Sequence, residues 1–290
     1  ENMSDLIEQD GQYMKFTSEP WVILSPIEQS IKAKIEKYGT PLKNWNVNIY
    51  RGILTGCNEA FIIDEAKKNE LIAKDPNSAQ IIRPILRGKD IKRYGYDFKG
   101  LYLIATHNGY KDIPRVNIDD YPAIKEWLDN GGIAYNGKEY KGYETIAKRA
   151  DQGDTPYNLR SCAYMDDFSK PKIIYQELTQ GSRFAIDKAG EYFVSNTAYL
   201  LTGDKLQYLL KVLNSRIIEF AFKTYYSTSM GNTGIRWLNQ YIMNLPIVVP
   251  LYDTEQAITN STGIEIEQLL GDLYHLSDLE MQFISASVKQ

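Results

Sequence analysis

The sequence predicts an α+β fold, with a mixed or antiparallel sheet flanked by helices and a helical segment at the carboxy end. Three observations carry this. Short runs rich in β-branched and aromatic residues recur along the chain, at Asn46 to Ile53, Phe61 to Asp64, Leu101 to Ala105 and Lys172 to Leu178. Helical patterns fall between these runs irregularly, not after each one, which argues against a regularly wound parallel sheet. The chain has 290 residues, 43% apolar and 24% charged, enough for one large domain or two smaller ones with an ample core.

Residues 1 to 20 show no periodicity and read as a lead-in. Ser25-Pro26-Ile27-Glu28 then opens a helix: serine caps, proline takes the first turn, and Glu28 completes a capping box. Ile27, Ile31 and Ile35 form an apolar stripe at a spacing of four, and Gly39 ends the helix. The runs at 46–53 and 61–64 read as two strands joined by a two-glycine turn, and 65–73 as a helix. Ser78 to Leu86 reads as a short helix broken near Pro84. Tyr121 to Leu128 is a helix opened by Asp120 and Pro122, and 131–160 is a long insertion with a helix near Tyr143 to Arg149. Strands follow at 172–178, 183–186, 192–194 and 198–201, then helices at 205–213 and 216–222. Tyr225 to Gly234 reads as a polar loop, and Tyr241 to Val249 holds a short strand near Pro246. Two helices close the chain, the last capped by Ser277 and Glu280.

The formal net charge is −4, but it is unevenly spread. Residues 251 to 290 hold seven acids and one base, which leaves 32 bases and 30 acids elsewhere. Arg83 to Lys99 carries six cations against Asp90 and Asp97, interleaved with Tyr94 and Tyr96. Such a stretch reads either as a phosphate-gripping face or as a solvated basic surface. The 22 tyrosines suit both half-buried strand positions and wet binding surfaces. Cys57 and Cys162 are too few for a disulfide scaffold or a four-ligand zinc site, so a cytosolic, reducing setting is expected. No signal peptide or bilayer-spanning apolar run is visible. The chain begins Glu1-Asn2-Met3, and a start without methionine is expected of a segment of a longer protein.

Catalytic motifs fail on inspection. His107 and His275 leave little scope for a histidine-based triad or a multi-histidine metal site. Glu65-Ala66-Lys67 matches half of a nuclease carboxylate–lysine site, but no Pro-Asp partner precedes it, and Asp64 and Glu65 suit a helix start. The dinucleotide glycine fingerprint, the P-loop and an Asn-Pro-Pro-Tyr motif are absent. Polar cargo in turns is what remains. Arg51, Thr55 and Asn58 lie about Gly52 and Gly56, and the same logic returns at Arg87-Gly88-Lys89-Asp90 and at Gly231-Asn232-Thr233-Gly234.

The order of these motifs resembles a known family. Arg51-Gly52-Ile53, Thr55-Gly56 and Ala60-Phe61 come first, then Pro84-Ile85-Leu86-Arg87-Gly88-Lys89-Asp90-Ile91 and Arg93-Tyr94. Tyr121-Pro122-Ala123-Ile124, Lys170-Pro171-Lys172-Ile173-Ile174-Tyr175, Leu213-Asn214-Ser215 and Leu245-Pro246-Ile247 follow. Over residues 20 to 285 this is similar to the Taq-type carboxy-terminal specificity domain, or target recognition domain, of fused adenine methyltransferase and restriction enzymes. The resemblance implies a lead-in over 1–20, a DNA target-recognition domain over 21–250 and a helical segment over 251–290. It implies recognition of a short double-stranded DNA sequence in a cytoplasmic restriction-modification system for phage defence. Methyltransferase and nuclease domains would be partners in cis or as subunits. S-adenosylmethionine and magnesium are expected only for the parent enzyme, with no cofactor and no catalytic residue in this segment.

Within that frame, Lys89, Lys92 and Arg93 are expected on the DNA backbone, with Tyr94 and Lys172 beside them. The loop Thr224 to Arg236, carrying Tyr225, Ser227, Thr228, Asn232 and Arg236, is the expected base reader, and the 131–160 insertion is a second candidate. Arg51, Thr55 and Asn58 are expected to contact the DNA, with Arg51 either on a phosphate or bracing the domain through an ion pair with Asp90 or Glu59. Arg87 is expected to shape its own loop through Asp90. Two rival readings stay open: a protein-interaction module docking through the acidic helices, and a nuclease using Glu65 and Lys67.

Overall fold

A computed structural model describes residues 24–227 and 234–288. The predicted lead-in over 1–20, and with it Thr228 and Asn232, lies outside the described residues. The fold is α+β, built on two four-stranded sheets. The central sheet is antiparallel, in the order Phe184–Asp187, Lys172–Gln176, Ala198–Gly203, Val47–Arg51. The second sheet is mixed: Phe193–Val194 runs parallel to Ile82–Leu86, which pairs antiparallel with Leu101–Ile104 and through it with Ile62–Asp64.

The central sheet's inner strands, Lys172–Gln176 and Ala198–Gly203, are buried on both faces, which is why they read as nearly continuous apolar runs. Side chains alternate across a strand, so successive residues enter different cores. Ile174, Ala185 and Leu200 join one core with the second sheet and the insertion. Ile173, Tyr175, Phe184, Tyr199 and Leu201 join the other, beneath the helices. That second core also takes Ile31 and Ile35 from the Pro26–Tyr38 helix, as the spacing-four stripe predicts. The helix starts on the expected capping box, with Glu28 Oε2 accepting from Ser25 N at 2.7 Å. Three helices, Tyr252–Asn260, Ile264–Leu273 and Asp278–Ser287, follow residue 250 where two are expected from the sequence. They bury Ile258, Ile266, Leu270, Tyr274 and Ile284 in the same core.

Several expectations are corrected. The two strands about the Gly52–Gly56 turn are not a hairpin, because Val47–Arg51 belongs to the central sheet and Ile62–Asp64 to the second. The segment crosses between sheets, with Ile53 bridging Ser195 and a short helix, Asn58–Phe61, turning the chain. Residues 78 to 86 are a 3₁₀ turn, Pro76–Gln80, and then the strand Ile82–Leu86. Pro84 stands where pairing passes from Leu101–Ile104 to Phe193–Val194, the place where a missing N–H costs a ladder least. The expected loop from Tyr225 begins instead as a π-helical turn, Phe222–Tyr226, continuing the helix Arg216–Ala221.

Candidate nucleic-acid interface

At one end of the central sheet, two turns converge on the segment Val194–Thr197. Gly52 packs on it so closely that a Cβ would sit 2.1 Å from the Ser195 carbonyl oxygen. A Cβ on Gly88 would sit 2.6 Å from the Thr197 carbonyl oxygen, and Gly88 N donates to Thr197 Oγ1 at 3.0 Å. Both glycines therefore allow main chain to approach main chain closely. Arg51 and the Arg87–Asp90 turn are thus both anchored on the Val194–Thr197 segment.

Arg51 pairs with neither Asp90 nor Glu59. Its Nε donates to Asn196 O at 2.9 Å and its Nη2 to Glu177 Oε2 at 3.3 Å. Arg236, from the loop expected to read bases, donates Nε and Nη2 to the other oxygen of Glu177, at 2.9 and 2.8 Å. Two predicted residues thus share one carboxylate. The side chain of Glu177 is 14% exposed and those of Arg51 and Arg236 are 54% and 48% exposed. The carboxylate lies beneath and the guanidinium groups lie above it.

Arg87 braces its own turn as expected, donating Nε and Nη2 to Asp90 at 2.9 and 2.8 Å. Burial would raise the Asp90 carboxyl, but the hydrogen bonds from Arg87, side chain and main chain, outweigh it and hold the group below its usual range. Lys99 is paired with Asp97. Lys89, Lys92 and Arg93 are exposed and form no ion pair among the described residues. Lys92 Nζ reaches Lys89 O at 3.1 Å, and Arg93 reaches Asn214 O at 2.6 Å. Tyr94 turns the short hairpin Ile91–Tyr96 at φ 66°, a left-handed conformation that costs a residue with a side chain on the order of 1 kcal/mol. Its exposed ring lies between Arg93 and Lys211, at 5.6 and 5.5 Å.

The insertion comes to the same region. Asn136 donates to Glu59 Oε1 at 3.1 Å and Lys138 lies 3.6 Å from it, so the tip of the Gly132–Tyr140 hairpin rests beside exposed Asn58.

Four predicted positions do not join the rim. Thr55 is buried, its hydroxyl on Asn58 Oδ1 at 2.7 Å and its carbonyl accepting from Arg149. Lys172 is 0% exposed at the opposite end of its strand, with Nζ 2.6 Å from Asp187. Tyr225 packs on the first helix and donates to Glu28 O at 2.8 Å. Ser227 turns back to Lys223 O at 3.3 Å. Thr55 and Lys172 are buried, and Tyr225 is half-buried with its hydroxyl turned to the first helix.

Sequence reasoning misses Glu177 and Arg149. Glu177 merely ends an apolar strand, and its bond to Arg51 spans 126 residues. Arg149 sits in the insertion's helix end, buried, and donates to the carbonyls of Thr55, Asp151, Pro156 and Asn158 while its guanidinium lies 4.4 Å from the Phe61 ring. No carboxylate bonds it among the described residues, and burial lowers its pKa to about 10.

The nuclease reading finds no support. Lys67 is turned to Glu70 at 2.7 Å and Glu65 to Lys68 at 3.4 Å. Among the described residues no group of three or more His, Cys, Asp or Glu side chains is placed to hold a metal. His107 accepts from Gly109 N at 3.2 Å, and His275 follows a helix end at φ 53°, against Tyr38. No helix among the described residues is long and apolar enough to cross a membrane.

Comparison with known proteins agrees with this architecture. The chain is 23% identical over 235 residues to the type II methyltransferase M.PaeR7I of Pseudomonas aeruginosa, covering 79% of this chain and 37% of that protein. The type IIL restriction-modification enzyme MmeI, solved in complex with DNA, superposes with a TM-score of 0.55 at 12% identity, over 87% of this chain and 34% of MmeI. The type IIG restriction endonuclease BpuSI gives 0.53 at 14% identity, over 90% of this chain and 31% of that one. The chain thus spans about a third of the length of these proteins. The family model of the TaqI-like C-terminal specificity domain matches residues 83–247, more than half of the sequence, and the chain belongs to that family.

Proposed function

We propose that this chain is the double-stranded DNA recognition module of a restriction-modification enzyme, and that it directs an adenine methyltransferase, and a nuclease where one is fused, to a specific site. The observation that carries the reading is the rim at the end of the central sheet. There the Gly52 and Gly88 turns carry Arg51 and Lys89, Arg236 joins Arg51 on Glu177, and exposed Lys89, Lys92 and Arg93 form no ion pair among the described residues. A net-negative protein binds DNA only if its cations are grouped in this way. S-adenosylmethionine, magnesium and the chemistry itself belong to other domains of the parent, acting in the cytoplasm against phage DNA.

The test is duplex binding by the 290-residue chain across a salt series. Changing Lys89, Lys92 and Arg93 together to alanine is expected to weaken binding to all duplexes and to reduce the log–log salt slope by roughly 0.9 for each phosphate that is no longer neutralised. An unchanged affinity and slope would remove this face from the interface.

A second surface supports a second interaction. Leu251, Tyr252, Ile264 and Leu279 are exposed on the three closing helices, and the acids there disfavour DNA. This face docks a methyltransferase or nuclease domain in the same reading, and a different defence-complex protein in the rival one.

A further inference from the structure

We infer that Glu177 is a positioning residue that holds Arg51 and Arg236 as a pair of guanine readers, so that the recognised duplex carries guanine where these two side chains meet it. The inference rests on the DNA-recognition reading above and narrows it to a base.

The hydrogen-bond pattern carries the argument. A guanidinium has two usable edges: the side-on edge of Nε and one terminal nitrogen, and the end-on edge of the two terminal nitrogens. Glu177 takes the side-on edge of Arg236 through Nε and Nη2. Asn196 O and Glu177 together take the same edge of Arg51. Each arginine is therefore held from the side and keeps an end-on pair of donors turned away from its support. Guanine offers a matching pair of acceptors, O6 and N7, in the major groove, and a bidentate arginine is their usual partner.

Glu177 is itself fixed at both ends of its peptide. Its N–H donates to Thr197 O at 3.1 Å, and its carbonyl accepts from the N–H of buried Trp237 at 2.7 Å. The arginines are thus ordered before DNA arrives, which removes part of the cost of immobilising them on binding. They reach the carboxylate from separate strands: Arg51 pairs in register with Tyr199, and Arg236 with Leu178.

The carboxylate also argues against phosphate as the ligand. A phosphate on either guanidinium would bring a second anion next to Glu177, where like charges repel. A base edge carries no net charge and meets no such penalty. Lys89, Lys92 and Arg93 form no ion pair with an acid among the described residues and suit phosphate instead. Among the described residues, the rim divides into base readers held on one acid and backbone-binding cations outside any ion pair.

The experiment selects bound duplexes from a 20-base-pair randomised library with the 290-residue chain, then measures affinities for the selected sequence, its single-base variants and unselected DNA. Wild type is expected to select guanine at fixed positions. Arg51→Lys and Arg236→Lys keep the charge but lose the fork, and each is expected to reduce discrimination at one guanine by about five- to 150-fold, a larger loss than any change in affinity for unselected DNA. Glu177→Gln is expected to reduce discrimination at both guanines while unselected DNA binds as tightly or more tightly, since an anion has left the surface. Thermal melting confirms that each variant is folded. A consensus without guanine, or lysine variants that bind every duplex more weakly with an unchanged consensus, would overturn the inference and leave the module a DNA binder. So would a Glu177→Gln variant with full discrimination. Failure of the wild-type chain to bind any duplex at low salt would overturn the function itself.

Discussion

At the residue scale, Lys172 shows how a charge can carry stability in place of function. The Lys170-Pro171-Lys172 motif reads as basic and exposed, yet the ammonium is buried and bonded to Phe168 O at 2.7 Å and to Asp187 at 2.6 Å. Asp187 also accepts from the N–H groups of Gly190, Glu191 and Tyr192. Burial lowers the lysine pKa, and Asp187 opposes that shift. Removing one partner of such a pair leaves a buried charge alone. Lys172→Ala is therefore expected to lose about 3–5 kcal/mol of stability in urea unfolding, while the fraction still folded binds duplex DNA with wild-type affinity. A loss of affinity at unchanged stability would return Lys172 to the DNA surface. Arg149 follows the same logic with carbonyls in place of a carboxylate. Neither role is legible in the sequence, because one-dimensional spacing does not say which end of a strand is capped by core.

At the element scale, what is legible is what local rules dictate. The capping boxes at Ser25 and Ser277, the isoleucine stripe of the first helix and the apolar runs of the central sheet are all present, because each depends on neighbours within a turn or two. The Gly52–Gly56 crossing reads as a hairpin because two strands flank two glycines, and only sheet membership, a long-range property, decides otherwise. Glu280 joins the two kinds of information. It caps its own helix through Ser277 N at 2.7 Å, and it also accepts from Ser30 at 2.7 Å and Lys34 at 2.6 Å on the first helix. Burial would raise this carboxyl, but Lys34, the Ser277 N–H and Ser30 outweigh it and hold it at about 2, against 4.5 when free. A depressed folded-state pKa stabilises above the unfolded value and loses its effect as pH falls through the folded one. Glu280→Gln is thus expected to cost on the order of 2 kcal/mol at neutral pH. The gap from wild type should shrink from pH 4.5 downward and close near pH 2, as read by unfolding at a series of pH values. A gap independent of pH would mean that Lys34 and Ser30 hold shape alone.

At the scale of the whole molecule, the closing helices combine an inner face that builds the core with an exposed surface where Leu251, Tyr252, Ile264 and Leu279 stand among acids. Within residues 251–288, Ile258, Ile266, Leu270, Tyr274 and Ile284 share a core with Ile31 and Ile35 of the first helix and with Tyr175 and Leu201 of the central sheet. Tyr274 also donates to Pro246 O at 2.8 Å, and Lys205 pairs with Glu255. Each fully buried side chain of this kind is worth about 1.5–3 kcal/mol, while a whole domain is stable by only about 5–15 kcal/mol. Truncation after Pro250 is accordingly expected to abolish cooperative unfolding, and loss of partner binding in such a truncation would say nothing about docking. The informative change leaves the inner face intact. Leu251 and Tyr252 are 81% and 74% exposed, so Leu251→Asp with Tyr252→Asp should leave the melting temperature near wild type. If this face seats a methyltransferase domain, the double variant lowers affinity for that domain, supplied as a separate polypeptide in a titration, and leaves duplex binding by the chain unaltered. Equal affinity for the domain in wild type and variant would move the docking surface elsewhere on the molecule.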